Sequence, residues 1–395
     1  MEREQALEAA RSIRELGAAH GDETETGRRL AAPVVAAIEA AGLNALMSPR
    51  ELNGSAAPPA VLVEVIEEVS RGDASTGWCL GIGAGVNFMS ALITESAAKQ
   101  IFTRVNQGGA GPFAPGGRAV ADGDRYQITG RWPYSSNCQQ AAVAACGMIA
   151  FEDGKPARVN ADGTPIFELA YLTRDQFEID ETWNTLGMRG TGSHDIVATD
   201  VEVSRDATST MFDAMWPDDA LFRLRAFDVL GPCLGVVPLG IGRAALDVVN
   251  AKAVAEADGP PARGPRPRLM DDAHAQLELG LADTRLRAAK ALVLDAVEDA
   301  YSYALVGDTP PRTCTAVIGL AIYEVFQAAN QAVSTAISLL GSAAIREGSP
   351  LDRLRRDLDT AGTHIVLRPG IAAGLARELA GIPTDVFPYL PPPES

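Results

Sequence analysis

The apolar pattern of this 395-residue chain changes period twice, and that double change is what most restricts the folds open to it. From residue 1 to about 107, apolar positions recur every three or four residues, as in PVVAAIEAAGLNALM and AVLVEVIEEVS, with Gly42 and SPRELNGSAAPP as punctuation. From about Gly108 the chain turns to glycine and proline turns and short alternating runs: RYQITGRW, AAVAACGMIAF, FELAYLT, QFEID and HDIVATDVEV. After about Met211 the helical period returns and persists. The order predicts an α+β protein with a helical domain over 1–107, a middle antiparallel β domain over 108–211 and a closely packed helical bundle over 212–395.

A formal net charge of −17 argues against nucleic acid or an anionic membrane as a partner. The N-terminal segment is charged and amphipathic with no apolar signal-peptide core, which predicts a cytoplasmic protein. Gly77 to Ile93 is the longest apolar stretch, but its glycines and Asn87 predict a buried helix rather than a membrane span. Five scattered cysteines without a CxxC pair predict reduced thiols in apolar space. His20, His194, His274 and His364 show no metal-ligand spacing, so no metal is expected.

In LRRDLDTAGTH, Asp357, Ala361 and His364 fall at i, i+4 and i+7, which predicts one helical stripe beside the apolar Leu351, Leu354, Leu358 and Ile365. His364 is then either a satisfied core residue or a proton-handling group facing a cavity. Asp357 either orients it or pairs with Arg353 or Arg356. Trp132 is either sheet core or a flat apolar surface for a ring, with the hydroxyls of Ser135 and Ser136 either starting a turn or binding a ligand. The Arg189, Gly190, Thr191, Gly192 turn suits a close backbone approach. The arginine-bearing loop from Asp258 to Leu269 faces solvent, an anion or a partner subunit.

Several strings resemble the acyl-CoA dehydrogenase superfamily. AAGLNALMSPRELNGS is similar to its N-terminal helix and turn, with Asn53 at the first of two usual glycines. LVEVIEEVSRGDASTGWCLG resembles the helix pair that follows. TGRWPYSSNCQQA is similar to the strand that contacts the flavin, and WNTLGMRGTGSHDIVATDVEVS to the strand ending the middle domain. GPFAPGGRA stands where dehydrogenases carry "T-E-P-x-x-G-S-D", and Thr363 and His364 stand where their "Y-E-G" glutamate is expected. Both departures resemble the flavin-dependent monooxygenase branch, which includes p-hydroxyphenylacetate hydroxylase oxygenase components, steroid-ring hydroxylases and dibenzothiophene or amine oxygenases.

This resemblance implies an N-terminal helical, middle β and C-terminal four-helix-bundle fold. It implies the oxygenase component of a two-component monooxygenase, using reduced FMN or FAD from a separate NAD(P)H flavin reductase, and O2, through a flavin C4a-hydroperoxide. A small or polycyclic organic substrate and a homotetramer are implied with it; SLLGSAAI, from Ser338 to Ile345, would pack closely within or between subunits. Implied catalytic residues are His364, Ser136 and Asn87, the last standing where aromatic hydroxylases often carry a further histidine. Implied flavin-binding positions are Ala114, Pro115, Trp132, Ser135, Ser136, Arg189, Gly190 and Thr191. The alternatives are an acyl-CoA or acyl-carrier dehydrogenase with FAD and its base at Glu324 or Glu347, or a non-catalytic descendant of the fold.

Overall fold

The computed structural model describes residues 1–160, 162–259, 268–344, 346 and 348–391. Of the expectations above, Glu347, Ile345 and most of the arginine-bearing loop (260–267) lie outside these residues.

Six helices form the first part: α1 (Arg3–Ala19), α2 (Gly21–Gly27), α3 (Ala32–Ala41), α4 (Pro59–Gly72), α5 (Ala74–Phe88) and α6 (Glu95–Ile101). In α4 the buried Val61, Leu62, Val65, Ile66 and Val69 repeat at three and four, giving one apolar face, and Pro59 sits in the first turn where no donor is needed. Helix α5 is different, because every residue except Ile82 is buried. Its start is fixed by Asp73, which accepts from Thr76 N and Thr76 Oγ1, both at 2.7 Å. Its glycines let neighbouring backbone come close: a Cβ on Gly77 would lie 1.9 Å from Ser70 Oγ and one on Gly81 2.0 Å from the Cys233 carbonyl. The apolar stretch from Gly77 is therefore the central buried helix of this part.

Among the described residues nine strands follow: β1 (Gly109–Ala110), β2 (Gly117–Asp122), β3 (Arg125–Trp132), β4 (Val143–Glu152), β5 (Lys155–Pro156), β6 (Phe167–Thr173), β7 (Glu178–Asp180), β8 (Asp195–Ser204) and β9 (Thr208–Ser209). They make one sheet in the order β7-β8-β3-β2-β4-β6-β9, with β1 and β5 also on β4. The sheet is mixed rather than antiparallel, since β1 and β2 both run parallel to β4. The reason is the segment 133–142, which does not close a hairpin. It turns through Tyr134 and Asn137, at φ 61° and 69°, and delivers β4 to the far side of β2.

The last part holds α7 (Ala226–Gly235), α8 (Val237–Asp258), α9 (Ala273–Leu305), α10 (Arg312–Leu340), α11 (Pro350–Ala361) and α12 (Pro369–Leu379). Alanines line the seams between the long helices α8, α9 and α10, among them Ala245, Ala282, Ala289, Ala300, Ala328 and Ala332, all buried. Small seam residues let the axes approach, and a Cβ on Gly242 would lie 3.1 Å from the Ala329 Cα. SLLGSAAI is not one helix, because α10 ends at Leu340 and Gly341 takes φ 59°. The run Ala226–Asp258 is long and apolar enough to cross a membrane by composition, yet 89% of its most apolar window is buried in the protein. All five cysteines are free and buried.

Helix α11 also ends earlier than expected. Ala361 is its last residue, and His364 lies beyond it with extended backbone (φ −70°, ψ 145°). Gly362 presses on Phe326, where a Cβ would come within 2.4 Å, and Thr363 Oγ1 donates to Thr360 O at 2.7 Å. A glycine followed by a hydroxyl that competes for backbone acceptors ends the helix.

Candidate active site

Three segments far apart in sequence converge beside α5. From α5 itself comes Trp78; from the turn after β3 comes Ser136; from the turn before β8 come Met188, Thr191 and Ser193. Trp78 Nε1 donates to Ser136 Oγ at 3.2 Å, and Ser136 Oγ lies 2.7 Å from Ser193 Oγ. Ser193 Oγ is in turn 2.6 Å from Thr191 Oγ1, which donates to the Met188 carbonyl at 2.8 Å. The Met188 N–H donates to Asp357 Oδ1 on α11 at 2.6 Å.

His364 closes the cluster from the other side. Its ring meets Trp78 edge to face, with centroids 5.3 Å apart and planes at 84°. Burial pulls its pKa down to about 4, so the imidazole is neutral near pH 7. Its Nδ1 is buried with no hydrogen-bond partner among the described residues. A buried polar atom left open is costly, so this nitrogen is a group suited to meet something not belonging to the chain. Asp357 is buried as well, and that burial pushes its carboxyl up to about 7, opposed by the Met188 N–H and reinforced by the nearby carboxylate of Asp73.

Of the candidates read from sequence, His364, Ser136 and Thr191 are brought together, and Gly190 supports them. Gly190 lies against Thr24 and Ser75, where a Cβ would come 2.1 Å from Thr24 Cγ2. The others stand elsewhere. Asn87 is a buried staple, with Nδ2 donating to the carbonyls of Asn44 at 2.9 Å and Val105 at 2.5 Å. Trp132 is sheet core: wholly buried, it lies over Gly117 and Gly130 and donates to the Gly147 carbonyl at 2.6 Å. Ser135 Oγ donates back to the Trp132 carbonyl at 2.9 Å. Arg189 is spent on its own turn and on α2, donating to Thr185 O at 2.9 Å, Asn184 Oδ1 at 3.1 Å and Glu25 O at 3.3 Å. Ala114 and Pro115 are exposed. Asp357 makes no hydrogen bond to His364 among the described residues; it holds the Met188 turn.

Trp78, Met188 and Ser193 are the participants the sequence did not single out. Trp78 is followed by a glycine-rich helix, and Ser193 closes GTGS, but neither signal specifies a site. Glu324, the alternative base, is on α10 in an ion pair with Arg285 at 2.9 Å, away from this cluster. Arg268, just after the undescribed residues, donates to Gly259 O at 2.8 Å.

A family model described as "Acyl-CoA dehydrogenase, C-terminal domain" matches residues 233–369. The chain is 31% identical to indole-3-acetate monooxygenase of Pseudomonas putida over 344 residues, covering 87% of this chain and 85% of the relative. It is 26% identical to the flavin-dependent monooxygenase oxygenase subunit HsaA of Rhodococcus jostii, covering 88% and 90%. XiaF from Streptomyces, solved in complex with FADH2 and glycerol, superposes with a TM-score of 0.87 at 25% identity over 98% of both chains. Fold and site together define an oxidoreductase on the acyl-CoA dehydrogenase plan, with a buried histidine and tryptophan at its candidate site. The chain belongs to the flavin-dependent monooxygenase family built on that fold.

Proposed function

We propose that this chain is the oxygenase component that takes reduced FMN or FAD from a separate NAD(P)H flavin reductase and inserts one oxygen atom of O2 into a small aromatic substrate. The observation that carries the reading is His364, a neutral imidazole with an open buried Nδ1 set against Trp78. The residues present fit a flavin. The open nitrogen is available to a polar edge, and the surface beside the Ser135–Ser136 turn offers Tyr134, 73% exposed, in edge contact with Trp183 at 6.2 Å. Bound there, reduced flavin supplies the two electrons with which O2 is activated.

The chain's own part is to keep water out and to manage a proton. Trp78 and the buried hydroxyls of Ser136, Thr191 and Ser193 form a closed wall with no free charge in it. His364 holds or takes a proton at Nδ1, a role suited to a base that is neutral at working pH. An aromatic substrate is supported by the indole-3-acetate relative and by the aromatic wall at Trp78.

In the same reading the enzyme works in the cytoplasm as a homotetramer. Support comes from an apolar stripe on α9, where Leu277 and Leu281 are 59% and 50% exposed at one helical repeat, and from the exposed Tyr134 and Leu186 at the site's outer edge. The test is anaerobic titration with FMNH2 and FADH2, read by quenching of tryptophan fluorescence. Saturable binding of a reduced flavin, weakened in His364→Ala and Trp78→Phe, is the expected result. No binding of reduced or oxidised flavin would favour a non-catalytic descendant, and reduction of bound FAD by an acyl thioester would favour a dehydrogenase.

A further inference from the structure

The hydroxyls under Trp78 are not free to point either way. The Met188 carbonyl can only accept, so Thr191 spends its one proton there at 2.8 Å. At the 2.6 Å contact Thr191 must therefore accept, and Ser193 donate. Ser193, its proton spent, must accept from Ser136 at 2.7 Å, and Ser136 accepts from the indole Nε1–H of Trp78 at 3.2 Å. Every donor runs the same way, from Trp78 toward Met188. One consequence is that Ser136 has no proton left to offer a ligand and can only accept from it.

The far end of this chain is held by α11. Met188 is a non-glycine residue in the left-handed region, at φ 51°, a strained conformation that needs outside support. Its N–H donates to the buried Asp357 carboxylate at 2.6 Å. The residue before it, Gly187, lies directly on the backbone of Arg356, where a Cβ would come 2.1 Å from the carbonyl oxygen. Helix α11 thus grips two successive residues of the turn. A third contact follows, because the Trp183 indole Nε1–H donates to the same Met188 carbonyl at 3.0 Å.

We propose that Asp357 is a positioning residue for the Trp78–His364 pair: by fixing Met188 it anchors the one-way hydrogen-bond chain that sets the Trp78 indole against the His364 ring. Its bearing on catalysis rests on the function proposed above, whereas the hydrogen-bond chain does not.

The four tryptophans separate the two questions. Trp78 and Trp183 are attached to the Met188 turn, while Trp132 and Trp216 donate to Gly147 O at 2.6 Å and Ser90 O at 3.2 Å and serve as controls. In flavin-free full-length protein labelled at the indole nitrogens, the Nε1–H resonances are assigned by single Trp→Phe replacements. Asp357→Leu shifts the Trp78 and Trp183 signals and leaves Trp132 and Trp216 in place. Asp357→Asn, which keeps an oxygen for the Met188 N–H, leaves all four unmoved. Ser193→Ala shifts Trp78 alone. If Asp357→Leu does not fold, Asp357→Ser, too short to reach Met188, takes its place. An unmoved Trp78 signal in the folded Asp357 variant overturns the anchoring. With flavin and O2, the same variant should release H2O2 in place of product on the order of tenfold more than wild type, with Asp357→Asn restoring coupling. Shifted indole signals with unchanged coupling would overturn the catalytic bearing while leaving the chain intact.

Discussion

The rings of Trp78 and His364 stand edge to face at 5.3 Å, and the same Trp78 indole donates to Ser136 at 3.2 Å, so one side chain joins the proton-handling group to the hydroxyl chain. The two contacts are separable. Trp78→Phe keeps a ring against His364 but loses the donor and part of the buried indole volume, and the lost donor alone should cost about 0.5–1.5 kcal/mol in denaturant unfolding. Trp78→Ala removes a buried ring as well and should cost about 3–5 kcal/mol. Equal losses in the two variants would mean the ring contact contributes nothing.

Stability should respond to pH through two groups of opposite sign. His364 has a folded pKa of about 4 against an ordinary 6.5, so the unfolded chain binds a proton that the folded chain refuses, and stability rises from pH 4 to 6.5. Asp357 has a folded pKa of about 7 against an ordinary 3.8, so the folded chain keeps a proton that the unfolded chain releases, and stability falls as pH rises across that window. The two slopes oppose each other in the native protein. Relative to the native protein, His364→Gln should therefore tilt the pH dependence of stability downward and Asp357→Asn should tilt it upward, each by about 1–3 kcal/mol between pH 4 and 7. Denaturant midpoints across that range check it, and changes of the same sign in the two variants relative to the native protein would contradict it.

Asn87 should behave as structure, not chemistry. Its amide bridges the carbonyls of Asn44 and Val105, joining α5 to the loops on either side. Asn87→Ala leaves both buried acceptors unmade and should lower stability by about 2–4 kcal/mol. Reduced-flavin affinity of the folded variant should be unchanged, as titration below its melting temperature would show.

The order of helical, β and helical segments was legible because period 3.6 and period 2 are properties of neighbouring residues. Strand direction was not, since the alternation in GRAVAD reads the same whether β2 runs with or against β4. His364 was legible as the candidate residue through its place after RRDLDTAGT, yet its apparent helical stripe was an accident of spacing across the break at Gly362. Trp132 stayed open between sheet core and ring surface for a related reason. Gly130, two residues earlier on the same strand face, is the space its indole fills within its own sheet. The role of Asp357 lay beyond reading from spacing, because its partner Met188 is 169 positions away and only the fold brings them together.

The central claim is that this chain holds reduced flavin and controls what O2 does with it, with His364 as the controlling group. The direct measurement is the rate of H2O2 release when protein premixed anaerobically with FMNH2 or FADH2 meets O2 without substrate, compared with free reduced flavin. The account predicts release many-fold slower than from free flavin, and much of that difference lost in His364→Ala. Release at the free-flavin rate from the native protein would contradict it.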